Sequence, residues 1–142
     1  MDSSTIATIA STAVVLLVPY LKSVSEGFAK KAGEQLGEKS GELAWAKAKQ
    51  LHQFIRTKFA DDSGSEKALS ALEETPDDSD TQAAVRFQLK DQMSADNEFA
   101  KQIAALLKEA DKAGADTVFN TNIHGNVEKL VQMRDVYGDV NI

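Results

Sequence analysis

The sequence predicts an all-α protein, a small helical bundle closed by a short C-terminal tail that is β-prone and self-assembling. Two observations predict it. Through most of the chain the apolar residues recur at helical spacing, most clearly Phe99, Ile103, Leu106, Leu107 and Ala110 at i, i+4, i+7, i+8 and i+11. From Phe119 to Ile142 that spacing gives way to an imperfect repeat, Ile123-His124-Gly125-Asn126-Val127 and Val136-Tyr137-Gly138-Asp139-Val140, offset by 13 positions. In an extended chain Ile123, Gly125 and Val127 share one face, as do Val136, Gly138, Val140 and Ile142.

The first element is a helix over 4–21. Residues 3–21 carry no charged side chain, a run of nearly bilayer length, but Ala, Ser and Thr dilute it and Pro19 sits near its end. The composition fits a core helix of a bundle better than a membrane span. It also fits a helix that hides in a soluble fold and inserts later. From Lys22 to Ala60 one or two helices follow, with Val24, Phe28, Leu36, Leu43, Trp45, Leu51, Phe54, Ile55 and Phe59 as apolar positions. Ala29, Gly33, Gly37 and Gly41 recur every fourth residue and form one stripe of small side chains. Glycine inside a helix costs about 1 kcal/mol relative to alanine, so the stripe is read first as a close-packing surface, and second as an association motif used in lipid.

Asp61-Asp62-Ser63-Gly64 should break the helix. Ser65 then caps a short helix to Leu72 that ends before Pro76. Ser79 or Asp80 caps a helix carrying Val85, Leu89 and Met93, and Ser94 or Asp96 caps the amphipathic one described above. Gly114 marks its stop, and 114–118 reads as a hinge. The expected organisation is a bundle over 1–113, a hinge over 114–118 and the tail over 119–142. Leu16, Leu36, Trp45, Phe54, Leu69, Leu89, Phe99, Ile103 and Leu106 should lie in the core.

Composition narrows the function. A chain of 142 residues without cysteine has room for one modest core and offers no disulfide, thiolate site or cysteine nucleophile. Residues 1–60 carry eight Lys/Arg against five Asp/Glu, whereas 61–142 carry eight against seventeen. An acidic protein with few aromatics is a poor nucleic-acid binder, whereas a basic amphipathic half suits an anionic membrane surface or is simply a solvated face. His52 and His124 stand in no triad or ligand pattern. The run 33–40 lacks the spacing and the preceding strand of a phosphate loop, and the acidic run 73–80 lacks the periodicity of a calcium loop. No catalytic residue, cofactor or metal is expected, and the protein reads as a cytoplasmic non-enzyme.

Strands as short as the two repeat copies cannot hold themselves together, so they either dock on the helices or stack against other copies of the chain. In the monomer the tail is expected to be unpaired or disordered. Together with Val131-Gln132-Met133 between them, the copies resemble the C-terminal motifs of bacterial amyloid signalling proteins, and Val131-Gln132-Met133 is similar to the core of RHIM and related prion-like motifs. The N-terminal part, with a Ser/Thr/Ala/Val helix, then Glu26-Gly27-Phe28-Ala29-Lys30-Lys31-Ala32-Gly33 and Glu42-Leu43-Ala44-Trp45-Ala46-Lys47-Ala48-Lys49-Gln50-Leu51, resembles the bacterial Bell domain, a HeLo-like helical bundle.

The resemblance implies a regulated cell-death effector. Its tail would be templated into amyloid by a matching motif on an NLR-type sensor, releasing the N-terminal helix to permeabilise the membrane. The implied inserting residues are Ile6, Ile9, Val14, Val15, Leu16, Leu17 and Val18. The implied amyloid core is Ile123, Gly125, Asn126, Val127, Val131, Gln132, Met133, Val136, Gly138, Asp139, Val140 and Ile142. The implied partners are other copies of the chain, the sensor and anionic lipid, with relocation from the cytoplasm to the inner membrane on activation. The alternative is a non-toxic adaptor whose tail recruits partners by strand addition.

Overall fold

The computed structural model describes residues 2–25, 39–119, 121 and 123–127. Among these the chain forms α1 (Ser3–Ser25), α2 (Lys39–Phe59), α3 (Ser63–Glu74), α4 (Ser79–Ala95), α5 (Asn97–Lys112) and α6 (Ala115–Phe119), followed by a helical turn over residues 123–127, with no strand. The all-α bundle is as expected. Leu36, Ala29, Gly33, Gly37 and the second repeat copy lie outside the described residues.

Helix α1 is the axis of the bundle. It packs against each of α2 to α6, and among the described residues it is the one helix that meets all the others. It is longer than expected at both ends: Asp2 accepts the Thr5 N–H at 2.8 Å as a cap at its start, and it runs on past Lys22 to Ser25 with Pro19 inside it. Pro19 deprives the Val15 carbonyl of its usual donor, and Val15 faces solvent, so water can serve instead.

Leu16, Leu69, Leu89, Phe99 and Ile103 are core residues, as expected. Trp45, Phe54 and Leu106 are half-buried and pack against the core from its rim. Phe54 and Leu106 line the groove between α2 and α5. Trp45 instead anchors a small aromatic cluster, its ring 5.7 Å from Tyr20 of α1 and 4.6 Å, edge-on, from Phe119 of α6.

The caps are aspartates throughout α3 to α5. Asp62, not Ser65, caps α3, accepting the Ser65 N–H at 2.9 Å, while Ser65 is buried and joins α3 to Gln88 and Gln92 of α4. Asp78, not Ser79 or Asp80, caps α4. Asp96 caps α5, taking the N–H groups of Glu98 and Phe99 and the Lys58 ammonium at 2.8 Å. An ionised carboxylate is a better acceptor than a hydroxyl and also complements the positive helix start.

These contacts set an acid limit. The Ser65 hydroxyl and N–H hold Asp62 below the usual carboxylate range, and the Lys58 ammonium, helped by the Phe99 N–H, does the same for Asp96. A carboxyl whose folded pKa is depressed contributes stability above its unfolded pKa and loses it as pH falls through the folded one. The urea midpoint is therefore expected to fall as pH drops below about 4. Asp96→Asn should lower the midpoint at pH 7 and flatten this acid slope. An unchanged slope in Asp96→Asn would show that the cap does not couple to folding.

The expected hinge is helical. Gly114 ends α5 with φ +84°, a left-handed conformation that suits glycine, and nothing lies within 4 Å of where a β-carbon would stand. The chain then re-enters a helix at once, because the Gly114 carbonyl accepts the N–H groups of Thr117 and Val118, both at 3.1 Å. Ala115 and Phe119, one turn apart, are buried against the bundle. Residues 115–118 are thus a packed connection.

Candidate functional site

Of the residues expected to enter a membrane, Ile6, Ile9, Val14, Leu16 and Leu17 are buried in the core, Val18 is half-buried, and Val15 is 39 % exposed. α1 is long and apolar enough to cross a bilayer, and in the folded chain most of it is enclosed. Two of its hydroxyls bond within the helix. Thr12 donates to the Thr8 carbonyl at 2.6 Å and Thr8 to the Ser4 carbonyl at 3.1 Å. Such bonds persist wherever the helix goes, in protein or in lipid.

The charge asymmetry of the sequence is folded back on itself. Lys22 pairs with Asp77, Lys47 with Glu109, Arg56 with Glu73 and Lys58 with Asp96, at 2.6–3.1 Å. Each pair joins the basic N-terminal half to the acidic C-terminal half. Exposed pairs of this kind contribute only about 0–1 kcal/mol each, so they do little for stability. What they do is pair four cations of α1 and α2 with carboxylates from α3, α5 and the loops between the helices. Sequence composition displayed the asymmetry, but not that the two halves face each other.

In the folded chain the first repeat copy packs on the bundle. Ile123, Gly125, Asn126 and Val127 are neither extended nor free: residues 123–127 form a helical turn, with Ile123 fully buried and Val127 5 % exposed. The turn is held from α6. The Asp116 carboxylate accepts the N–H of Ile123 at 2.6 Å, the N–H of His124 at 2.9 Å and the Thr121 hydroxyl at 3.1 Å. The Thr121 N–H donates to the Asp116 carbonyl at 3.0 Å, and His124 Nδ1 lies 2.9 Å from Asp111 of α5. Asp116 and Asp111 were not singled out in the sequence. Their only signal was a carboxylate beside a glycine stop, which marks a turn as readily as a cap. Val131, Gln132, Met133, Val136, Gly138, Asp139, Val140 and Ile142 lie outside the described residues.

The remaining histidine, His52, is directed at a neighbouring helix. Its Nε2 is 2.7 Å from Glu73, which also binds Arg56, so one carboxylate of α3 ties down two side chains of α2, with Tyr20 beside the His52 ring. Burial pushes the Tyr20 hydroxyl's pKa up. The groove between α2 and α5 is lined by Gln50, Gln53, Phe54, Gln102, Leu106 and Glu109, the last already engaged by Lys47. Among the described residues no cluster of three His, Asp or Glu side chains is arranged to hold a metal ion. Comparison of the chain with protein-family models, with curated proteins and with solved structures found no match in any of the three.

Proposed function

We propose that this chain is a cell-death effector that acts on an anionic membrane once its tail assembles, with α1 as the inserting element. The observation that carries the reading is α1 itself, with an uncharged run of nearly bilayer length over residues 3–21, the Thr8 and Thr12 hydroxyls bonded within the helix, five other helices packed against it, and cations at its end and on α2 that pair with the acidic half. Separating the halves would uncover the apolar helix and its positive charges together. That is the combination an anionic bilayer attracts.

Energetics decide the form of the event. Each large side chain that α1 buries contributes about 1.5–3 kcal/mol, and Ile6, Ile9, Val14, Leu16, Leu17 and Leu21 are all buried. Together they rival the 5–15 kcal/mol or so that hold an ordinary domain folded. α1 cannot leave as a peripheral strap would. Its release and the opening of the bundle are one event, driven by assembly on one side and by lipid on the other.

The same centrality favours the second reading, an adaptor in which α1 is only the core helix and the tail recruits partners by strand addition. Deleting residues 1–21 would not separate the two, since it removes the bundle's axis. The test keeps the chain whole: full-length protein is mixed with anionic vesicles and seeded with fibres of a 117–142 peptide. The effector reading expects dye release together with a red shift of Trp45, the single tryptophan, as its contacts to Tyr20 and Phe119 part. Val140→Pro, which interrupts a strand ladder, should abolish both. Fibres that recruit the full chain without leakage would establish the adaptor.

A further inference from the structure

We infer that Asp116 is a latch that withholds the first repeat copy from assembly by keeping it helical. The inference rests on the assembly reading above and adds its control point. Ile123 and Val127 are four residues apart, so they share a face both in a strand and in a helix. The folded chain uses the helical option and buries both. Those are the side chains a strand stack would need, so docking and stacking exclude each other.

The docked turn is short and would not form by itself, since a single helical turn fixes several residues for little return. Asp116 supplies what is missing. Its carboxylate takes two successive N–H groups at the start of the turn, and Asp111 adds a contact to His124. Gly125 has the opposite character. In the docked turn its backbone is not left-handed, and a β-carbon there would meet nothing within 4 Å, so the helical state does not require glycine and is weakened by it. The same position is glycine again in the second copy, Gly138. Glycine at both positions is accounted for by close backbone approach in the stacked state.

Two variants of the full chain therefore move the latch in opposite directions. Asp116→Ala removes the cap and should lower hydrogen-exchange protection of the Ile123 and His124 amides about tenfold or more, with a shorter lag before fibrillisation. Gly125→Ala should raise that protection about fivefold and lengthen the lag. The 117–142 peptide lacks Asp111 and Asp116, so Gly125→Ala in the peptide measures the effect on stacking alone. A full-chain delay no greater than the peptide's would overturn the latch, as would Asp116→Ala with parental protection and parental lag. Protected amides in a chain that never assembles, seeded or not, would instead remove the assembly reading and the latch with it, a pattern distinct from assembly that ignores Asp116.

Discussion

Val15→Asp is expected to leave the folded protein intact and to abolish membrane permeabilisation. Val15 is the one large residue of the α1 core run that faces solvent, at 39 % exposure, so an aspartate there stays hydrated in the bundle. Valine and aspartate differ little in helix propensity, and surface changes of this kind usually stay within about 0.5 kcal/mol. In a bilayer the position lies near the middle of the helix. A carboxylate there costs about 2.5–3.5 kcal/mol on insertion scales, and the loss of valine adds a few tenths more. Each chain's insertion equilibrium should fall by roughly two orders of magnitude. Circular dichroism, the urea midpoint and seeded fibrillisation should match the parent, while vesicle leakage and killing disappear. Leakage equal to the parent would eliminate α1 as the inserting element. Loss of fibrillisation would show that the bundle and the tail are coupled more tightly than the latch alone requires.

The bundle was legible because its helices carry redundant signals. Phe99, Ile103, Leu107 and Ala110 repeat the same face over several turns, and no other period fits them. α1 was harder: an uncharged run has no polar face to orient it, so sequence could not say which residue would be left outside. The structure shows that the large apolar residue of that run left exposed is Val15, a β-branched aliphatic like its buried neighbour Val14. Capping was legible in place but not in residue, since a run such as Asp77-Asp78-Ser79-Asp80 offers several acceptors and only backbone geometry selects one. In the first repeat copy two periods compete. A spacing of four satisfies both the strand and the helical period, and five residues are too few to separate them. In the folded chain the Asp116 carboxylate, seven residues before Ile123, accepts the first N–H groups of the helical turn.

Leu17→Ala tests the claim that releasing α1 and opening the bundle are one event. Leu17 is fully buried in the helix that every other helix touches. Truncating such a leucine costs about 2–5 kcal/mol, a large share of any domain's stability, and the melting temperature should fall by roughly 10 °C. The same substitution takes at most about 0.6 kcal/mol from insertion into lipid, where leucine is favourable but no cavity is left behind. The two effects differ several-fold, and the sign of the net effect follows. If opening limits membrane action, Leu17→Ala should leak seeded vesicles faster than the parent although it has lost part of its inserting surface. Under the adaptor reading the variant is only less stable, with no leakage at any temperature below its melting point. Slower leakage than the parent, in protein shown to be folded beforehand, would mean that the apolar surface of α1 limits the reaction and that the bundle opens without cost to it. Paired with Val15→Asp two residues earlier, the variant separates the energy of leaving the core from the energy of entering the bilayer, because each substitution weakens one and nearly spares the other.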